Sequence, residues 1–188
     1  MVIDDLVSDM SLPVGPLELP QLDTDVAGIW RLLESVCDPE IPVLSLREIG
    51  VLRAVKAAPA GWQLWITPTY NGCPAMSQMK NDLLSAMQQA GKQAEVLTCL
   101  APAWSSDWIT ESAKEKLRVY GIAPPHSNAV PNATNPIRLA GKMTRVQVAC
   151  PQCESLDTTE ISQFGSTACK AMYKCLACAE PFDYFKPY

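Results

Sequence analysis

Four cysteines near the C-terminal end carry the strongest chemical signal in this sequence. Cys150-Pro151-Gln152-Cys153 is followed, 21 residues later, by Cys175-Leu176-Ala177-Cys178. Two Cys-x-x-Cys pairs can set four thiolates at the corners of a tetrahedron. Zinc takes that arrangement readily, because it binds thiolates well and has no electronic preference for another geometry. One structural zinc per chain is the expectation. A rubredoxin-like iron centre or a redox dithiol would use the same residues. Four ligands leave no open position, so catalysis at this metal is not expected. Cys169, six positions before Cys175, has no place in a four-ligand set. It reads as a small buried residue on a strand, or as a spare thiol for metal transfer or partner contact.

A second spot is Thr67-Pro68-Thr69-Tyr70-Asn71-Gly72-Cys73-Pro74, between a strand end and a helix start. Asn71-Gly72 favours a tight turn, and Pro74 suits the first helical turn, where a missing N–H is harmless. Cys73 then lies at or near the cap. A helix N-terminus lowers a thiol pKa and can also hold an anion, so thiolate is expected there. A plain buried or capping cysteine is the equal alternative. The chain has one histidine, His126, in a proline-rich stretch that reads as linker. Cys73 therefore lacks the usual base of a cysteine hydrolase. A third spot, Asp38-Pro39-Glu40-Ile41-Pro42, frames a proline with two carboxylates. These could form an Asx-type turn or bend toward the Cys73 loop. Cys37 and Cys99 sit in apolar patterns and read as core cysteines.

The elements that must position these residues follow from hydrophobic spacing. Val26, Ile29, Trp30, Leu33 and Cys37 share one helical face, with Thr24 or Asp25 as cap and Pro39 as stop. Strands are expected over Val51–Ala57 and Trp62–Thr67, around a turn at Pro59-Ala60-Gly61. A helix follows from about Ala75 to Ala90, stopped by Gly91. Glu95–Leu100 is a third strand, and Ile109–Tyr120 a last helix closed by Gly121. The order α-β-β-α-β-α gives a small α/β (α+β) domain, one sheet layer covered by helices. Thr159–Phe164, Lys170–Lys174 and Pro181–Tyr184 are expected as three ribbon strands between and after the cysteine pairs.

The expected organisation is therefore an acidic flexible arm (1–24), a main domain (25–121), a Pro- and Asn-rich linker (122–145) and a ribbon (146–188). A 43-residue ribbon has too little core to fold without a staple, and metal binding would supply one. The arm carries Asp4, Asp5, Asp9, Glu18 and Asp23 with no opposing charge. It reads as solvated tail or acidic docking segment. Fifteen Lys and Arg against twenty Asp and Glu argue against general nucleic-acid binding. No run of eighteen apolar residues and no basic leader are present, so a soluble cytoplasmic protein is expected. Eight cysteines without an export signal favour metal ligation over a disulfide framework.

Three stretches carry a family resemblance: Asp38-Pro39-Glu40-Ile41-Pro42-Val43, Glu48-Ile49-Gly50-Val51, and Thr67 through Pro74. Together they resemble the small domain of iron–sulfur cluster assembly and targeting factors. Two C-terminal stretches narrow the likeness: Phe164-Gly165-Ser166-Thr167-Ala168-Cys169-Lys170 ahead of Tyr173-Lys174-Cys175, and Pro181-Phe182-Asp183-Tyr184-Phe185. With these, residues 25–188 are similar to the D-component family of the phenylacetyl-CoA epoxidase system. That system is a bacterial monooxygenase of aerobic phenylacetate breakdown. Its oxygenase holds a di-iron centre, and its reductase uses NADPH, flavin and a 2Fe–2S cluster.

The resemblance implies an accessory protein that assists maturation or assembly of a partner's iron–sulfur or di-iron centre. It implies Asp38, Glu40, Thr69 and Cys73 as motif positions, with Cys73 the candidate for handling a transient iron or iron–sulfur cluster. Oxygenase or reductase components, and iron–sulfur assembly proteins, are the implied partners; nucleic acid and membrane are not. Relatives commonly have Asp-Leu-Gly where this chain has Glu48-Ile49-Gly50, and the same turn is expected with small adjustment. A structural or docking component of the monooxygenase is the competing class. An independent enzyme using Cys73 is the third; no Gly-x-Gly-x-x-Gly loop or Glu-x-x-His iron motif supports it.

Overall fold

The computed structural model describes residues 25–70, 72–126 and 147–188. The expected arm at 1–24 and most of the expected linker lie outside the described residues. The chain divides into two compact units, Met1–Trp104 and Ser105–Tyr188.

In the first unit, α1 (Asp25–Leu33) buries Ala27, Ile29, Trp30 and Leu33; of the expected face, Val26 is half-buried and Cys37 lies beyond the helix in the next strand. It ends at Leu33, earlier than the expected stop at Pro39. A short antiparallel hairpin follows, β1 (Cys37–Asp38) with β2 (Ile41–Ser45). This hairpin is absent from the sequence-based expectation. Pro42 and a two-residue first strand hide its alternation.

Next come β3 (Leu52–Ala58) and β4 (Gly61–Ile66), paired antiparallel. Gly61 is required at their turn. Its φ is +129°, and a Cβ there would stand 2.4 Å from the Gln93 carbonyl oxygen. The ladder shifts register between Leu52 and Ala54, a bulge that contains Arg53. Arg53 is almost fully buried. Burial lowers its pKa to about 10, against the raising influence of Cys99.

From β4 the chain crosses through α2 (Met76–Gln89) to β5 (Ala94–Thr98), which runs parallel to β4. The strand order is β3-β4-β5. Leu64 and Ile66 of β4 and Met79, Leu83 and Met87 of α2 are buried. Each such side chain contributes about 1.5–3 kcal/mol by leaving water. Gly91, at φ +68°, ends α2. Its N–H bonds to Gln88 O, and the Lys92 N–H bonds to Met87 O.

The second unit begins inside the stretch expected to close the main domain. Helix α3 (Glu111–Tyr120) is capped by Thr110, whose Oγ1 accepts the Ala113 N–H at 3.1 Å. It leads directly into β6 (Ile122–Ala123), which pairs parallel with β9 (Pro181–Phe185). With β7 (Thr158–Ser162) and β8 (Lys170–Cys175) the sheet order is β6-β9-β8-β7. Its core joins Ala123, Val148, Cys150, Ala171, Cys175, Phe182 and Tyr184.

The compact units thus part at Trp104/Ser105, earlier than the expected linker. Ile122 and Ala123 are a buried strand, because β9 offers them an open edge and an apolar face. His126 differs from a freely solvated linker residue as well. It is exposed, yet its Nε2 lies 2.7 Å from the Gln147 carbonyl oxygen and its ring stands 5.9 Å from that of Tyr184. Ser106 closes the same unit: its N–H donates to Tyr188 O, and its Oγ accepts the Tyr188 N–H. Among the described residues, no helix is long and apolar enough to cross a membrane.

A fragment of residues 25–104 is expected to melt cooperatively alone. A zinc-loaded fragment of 105–188 should melt above one of 138–188, which lacks α3 and β6. The gap should be at least several degrees, since about 1 kcal/mol moves a domain this small by about 4–8 °C. Equal melting temperatures for the two ribbon fragments would argue that α3 and β6 add nothing to the second unit.

Candidate functional site

The Asp-Pro-Glu segment is an Asx-type turn at the tip of the β1–β2 hairpin. Asp38 Oδ1 accepts the Glu40 N–H at 2.7 Å and the Ile41 N–H at 3.2 Å. Asp38 is buried, so these bonds offset part of the cost of removing a carboxylate from water. Glu40 is exposed beside it and lends the turn its backbone N–H.

The next turn is held by a polar network that the sequence did not reveal. Buried Glu48 accepts the Ser45 N–H through Oε2 at 3.1 Å. Arg47 grips Glu34 of the preceding segment with two bonds, Nε to Oε2 at 2.5 Å and Nη2 to Oε1 at 2.7 Å. Gly50 follows at φ +77°. The Glu-Ile-Gly sequence therefore makes a closed turn here, its carboxylate reaching back three residues.

Cys73 stands between β4 and α2. Its N–H bonds to Tyr70 O at 3.3 Å, and Gly72 takes φ +84°. Asn71 lies outside the described residues. Thr69 is buried ahead of the turn. Ala75 occupies the N-cap of α2, with no side-chain cap bond of its own. Near the Cys73 sulfur, the backbone of Ala75 and Met76 and the Tyr70 side chain act to lower its pKa.

These groups do favour thiolate, as the sequence suggests, but they are outweighed. Burial is the largest influence on Cys73 and Asp38 adds its negative charge, so the thiol pKa is raised, not lowered. The expectation of a thiolate at rest is corrected accordingly. Asp38 and Cys73 are thus brought within electrostatic reach of each other, while Glu40 is not among the groups acting on Cys73. Tyr70, which sequence reasoning passed over, is; its place in the tight turn was the available signal. Cys37 and Cys99 are half-buried, and their sulfurs donate to Ser35 O at 3.7 Å and Ala101 O at 2.8 Å.

The second unit brings Cys150, Cys153, Cys175 and Cys178 together, with all four sulfurs within 4.8 Å of one another. Cys150 Sγ lies 3.8 Å from Cys178 Sγ, and Cys153 Sγ lies 3.5 Å from Cys175 Sγ. A tetrahedron built on Zn–S bonds of about 2.3 Å has edges of about 3.8 Å. A disulfide needs about 2.05 Å. The spacing fits a four-thiolate metal ion, and no disulfide joins these four. Cys150 and Cys175 are buried at the sheet end, whereas Cys153 is exposed. The Cys178 N–H donates to Cys175 Sγ at 3.4 Å. That bond is the largest influence bringing the Cys175 pKa down to about 7. Cys169 is not part of this group; its sulfur lies 3.1 Å from Thr167 Oγ1. Among the described residues, no other group of three or more Cys, His, Asp and Glu is close enough to hold an ion.

Two family models match the chain. One, described as iron–sulfur cluster assembly protein, covers residues 27–98. The other, described as PaaD zinc beta ribbon domain, covers residues 135–186. A curated protein of Escherichia coli (strain K12), provisionally named as the D component of 1,2-phenylacetyl-CoA epoxidase, is 45% identical over 162 residues. The match spans 86% of this chain and 92% of that protein. Among solved structures, a domain of unknown function from Bacillus anthracis aligns at TM-score 0.46 and 25% identity, covering 49% of this chain and 90% of its own. A Mycobacterium tuberculosis protein associated with Fe–S complex assembly and repair aligns at TM-score 0.32 and 24% identity, covering 57% and 98%.

Peptide-resolved alkylation across pH should give Cys73 a midpoint above that of an ordinary cysteine. Asp38→Asn removes a negative neighbour and should move that midpoint down. The same variant weakens the hairpin tip, with a loss of about 1–3 kcal/mol in urea denaturation. An unmoved midpoint would show that the Asp38 charge does not reach Cys73.

Proposed function

The chain belongs to the family of the D component of 1,2-phenylacetyl-CoA epoxidase, and we propose that it is an accessory protein that helps fill or assemble its partners' metal centres. The clients are the oxygenase or reductase components, and the cargo is iron or an iron–sulfur cluster. Cys73 is the handling group; Cys150, Cys153, Cys175 and Cys178 hold one structural zinc per chain.

The observation that carries this reading is the environment of Cys73. The residue is half-buried, and its sulfur is under the opposing electrostatic influence of the Ala75 and Met76 backbone and Tyr70, which favour thiolate, and of burial and the Asp38 carboxylate, which disfavour it. With a raised pKa it rests as a thiol. On meeting iron, the S–H proton passes to solvent as the metal–sulfur bond forms, and the Ala75 and Met76 backbone favours the resulting thiolate. One thiolate without a neighbouring ligand cluster suits brief custody better than permanent storage. The remaining ligands would come from donor or client. Asp38 positions the loop through its turn.

The zinc has a different task. It supplies folding free energy to a sheet whose core alone is small. A second reading, a docking component with no metal transfer, draws on the exposed Ile161, Phe164 and Met172 of the ribbon.

Elemental analysis should find about one zinc per chain, lost together with ribbon structure in Cys175→Ser. Full zinc retention by that variant would remove Cys175 from the ligand set. Cys73→Ser keeps the volume and the capping ability, so stability should change by less than about 1 kcal/mol. Partners co-produced with it should nevertheless be underfilled in iron or sulfide. Normal filling and normal epoxidase turnover would leave the docking reading as the better account.

A further inference from the structure

Both cysteine pairs close on residues that carry a side chain in a backbone region that disfavours one. Glu154 has φ +61° and Ala179 has φ +66°; among the described residues they are the two non-glycine positions with positive φ. Each directly follows the second cysteine of its pair. For an L residue this conformation crowds Cβ against the following carbonyl, a penalty of roughly tenfold in an equilibrium per residue. Glycine does not have it.

Packing does not offset the strain at either residue. Both are exposed. The Glu154 carboxylate stands 3.4 Å from Arg118 of α3, with the two side chains 78% and 41% exposed. Pairs that open to solvent contribute little. What holds the turns are the bonds that wrap the cysteines: Glu154 N–H to Cys150 O at 2.9 Å and Cys178 N–H to Cys175 Sγ at 3.4 Å.

We propose that Glu154 and Ala179 make the four-cysteine site hold its ion less tightly, and release it faster, than glycine at these positions would, because the turns that present the sulfurs carry the strain of both residues. The inference rests on the reading of these cysteines as a zinc site. Exchange begins at the outer sulfurs. Cys153 is exposed, and each strained residue is covalently next to the outer member of its pair. An incoming thiolate, from a thiol chelator or an acceptor protein, donates its electron pair to zinc. The zinc–Cys153 bond breaks, and the freed thiolate takes a proton from solvent. Zinc stays divalent and no electrons move.

The test uses the full-length zinc-loaded chain and competition against a chromophoric zinc chelator. Glu154→Gly and Ala179→Gly should each tighten zinc about three- to tenfold, after allowing for the greater freedom of glycine when the turn is open. Release should slow in parallel. Glu154→Gln keeps the strained backbone while removing the Arg118 pair, and should match the unaltered protein. Ala179→Gly, which removes one methyl group, tests strain even if Glu154→Gly misfolds. Glycine variants that bind and release zinc like the unaltered chain would overturn the exchange inference and leave the zinc reading standing. An unaltered chain that holds no zinc would overturn both.

Discussion

Much of the first unit's candidate site turns on one buried carboxylate. Asp38 sits where its Oδ1 can close the hairpin tip through two backbone N–H groups, at 2.7 and 3.2 Å. Its negative charge also reaches Cys73, where it opposes ionisation alongside burial. One residue thus shapes the hairpin tip and adds its charge to the burial that raises the pKa of the neighbouring sulfur. The backbone of Ala75 and Met76 pulls the other way. The net effect is a thiol pKa above the ordinary cysteine value.

The second unit solves a different problem. Its sheet pairs β8 and β9 along five positions but buries few large side chains. A core of that size needs help. Four sulfurs within 4.8 Å provide it if an ion binds them, and α3 with β6 adds a parallel edge. The strained turns at Glu154 and Ala179 draw on the same stabilisation.

Much of this was legible in the sequence, for physical reasons. Period-3.6 apolar faces placed α1, α2 and α3 within a few residues, because each buries its stripe against a sheet. Paired Cys-x-x-Cys segments found the metal-binding arrangement, since ligand spacing is a local property. Three features were not legible. The β1–β2 hairpin is too short for alternation to show. The pairing of Ile122-Ala123 with β9 joins residues far apart in the chain, and no local pattern announces such a partner. The protonation of Cys73 depends on burial and on Asp38, a residue from a different turn; helix-dipole reasoning alone gave the wrong sign.

The central claim is that this protein fills a metal centre in another one. It is tested most directly by producing the oxygenase and reductase components with and without the full chain, then measuring iron and sulfide in each purified component. The account requires one component to be underfilled when the chain is absent and restored when it is present. Equal iron and sulfide in both preparations, with epoxidase activity still dependent on the chain, would contradict maturation and place its role in assembly of the complex.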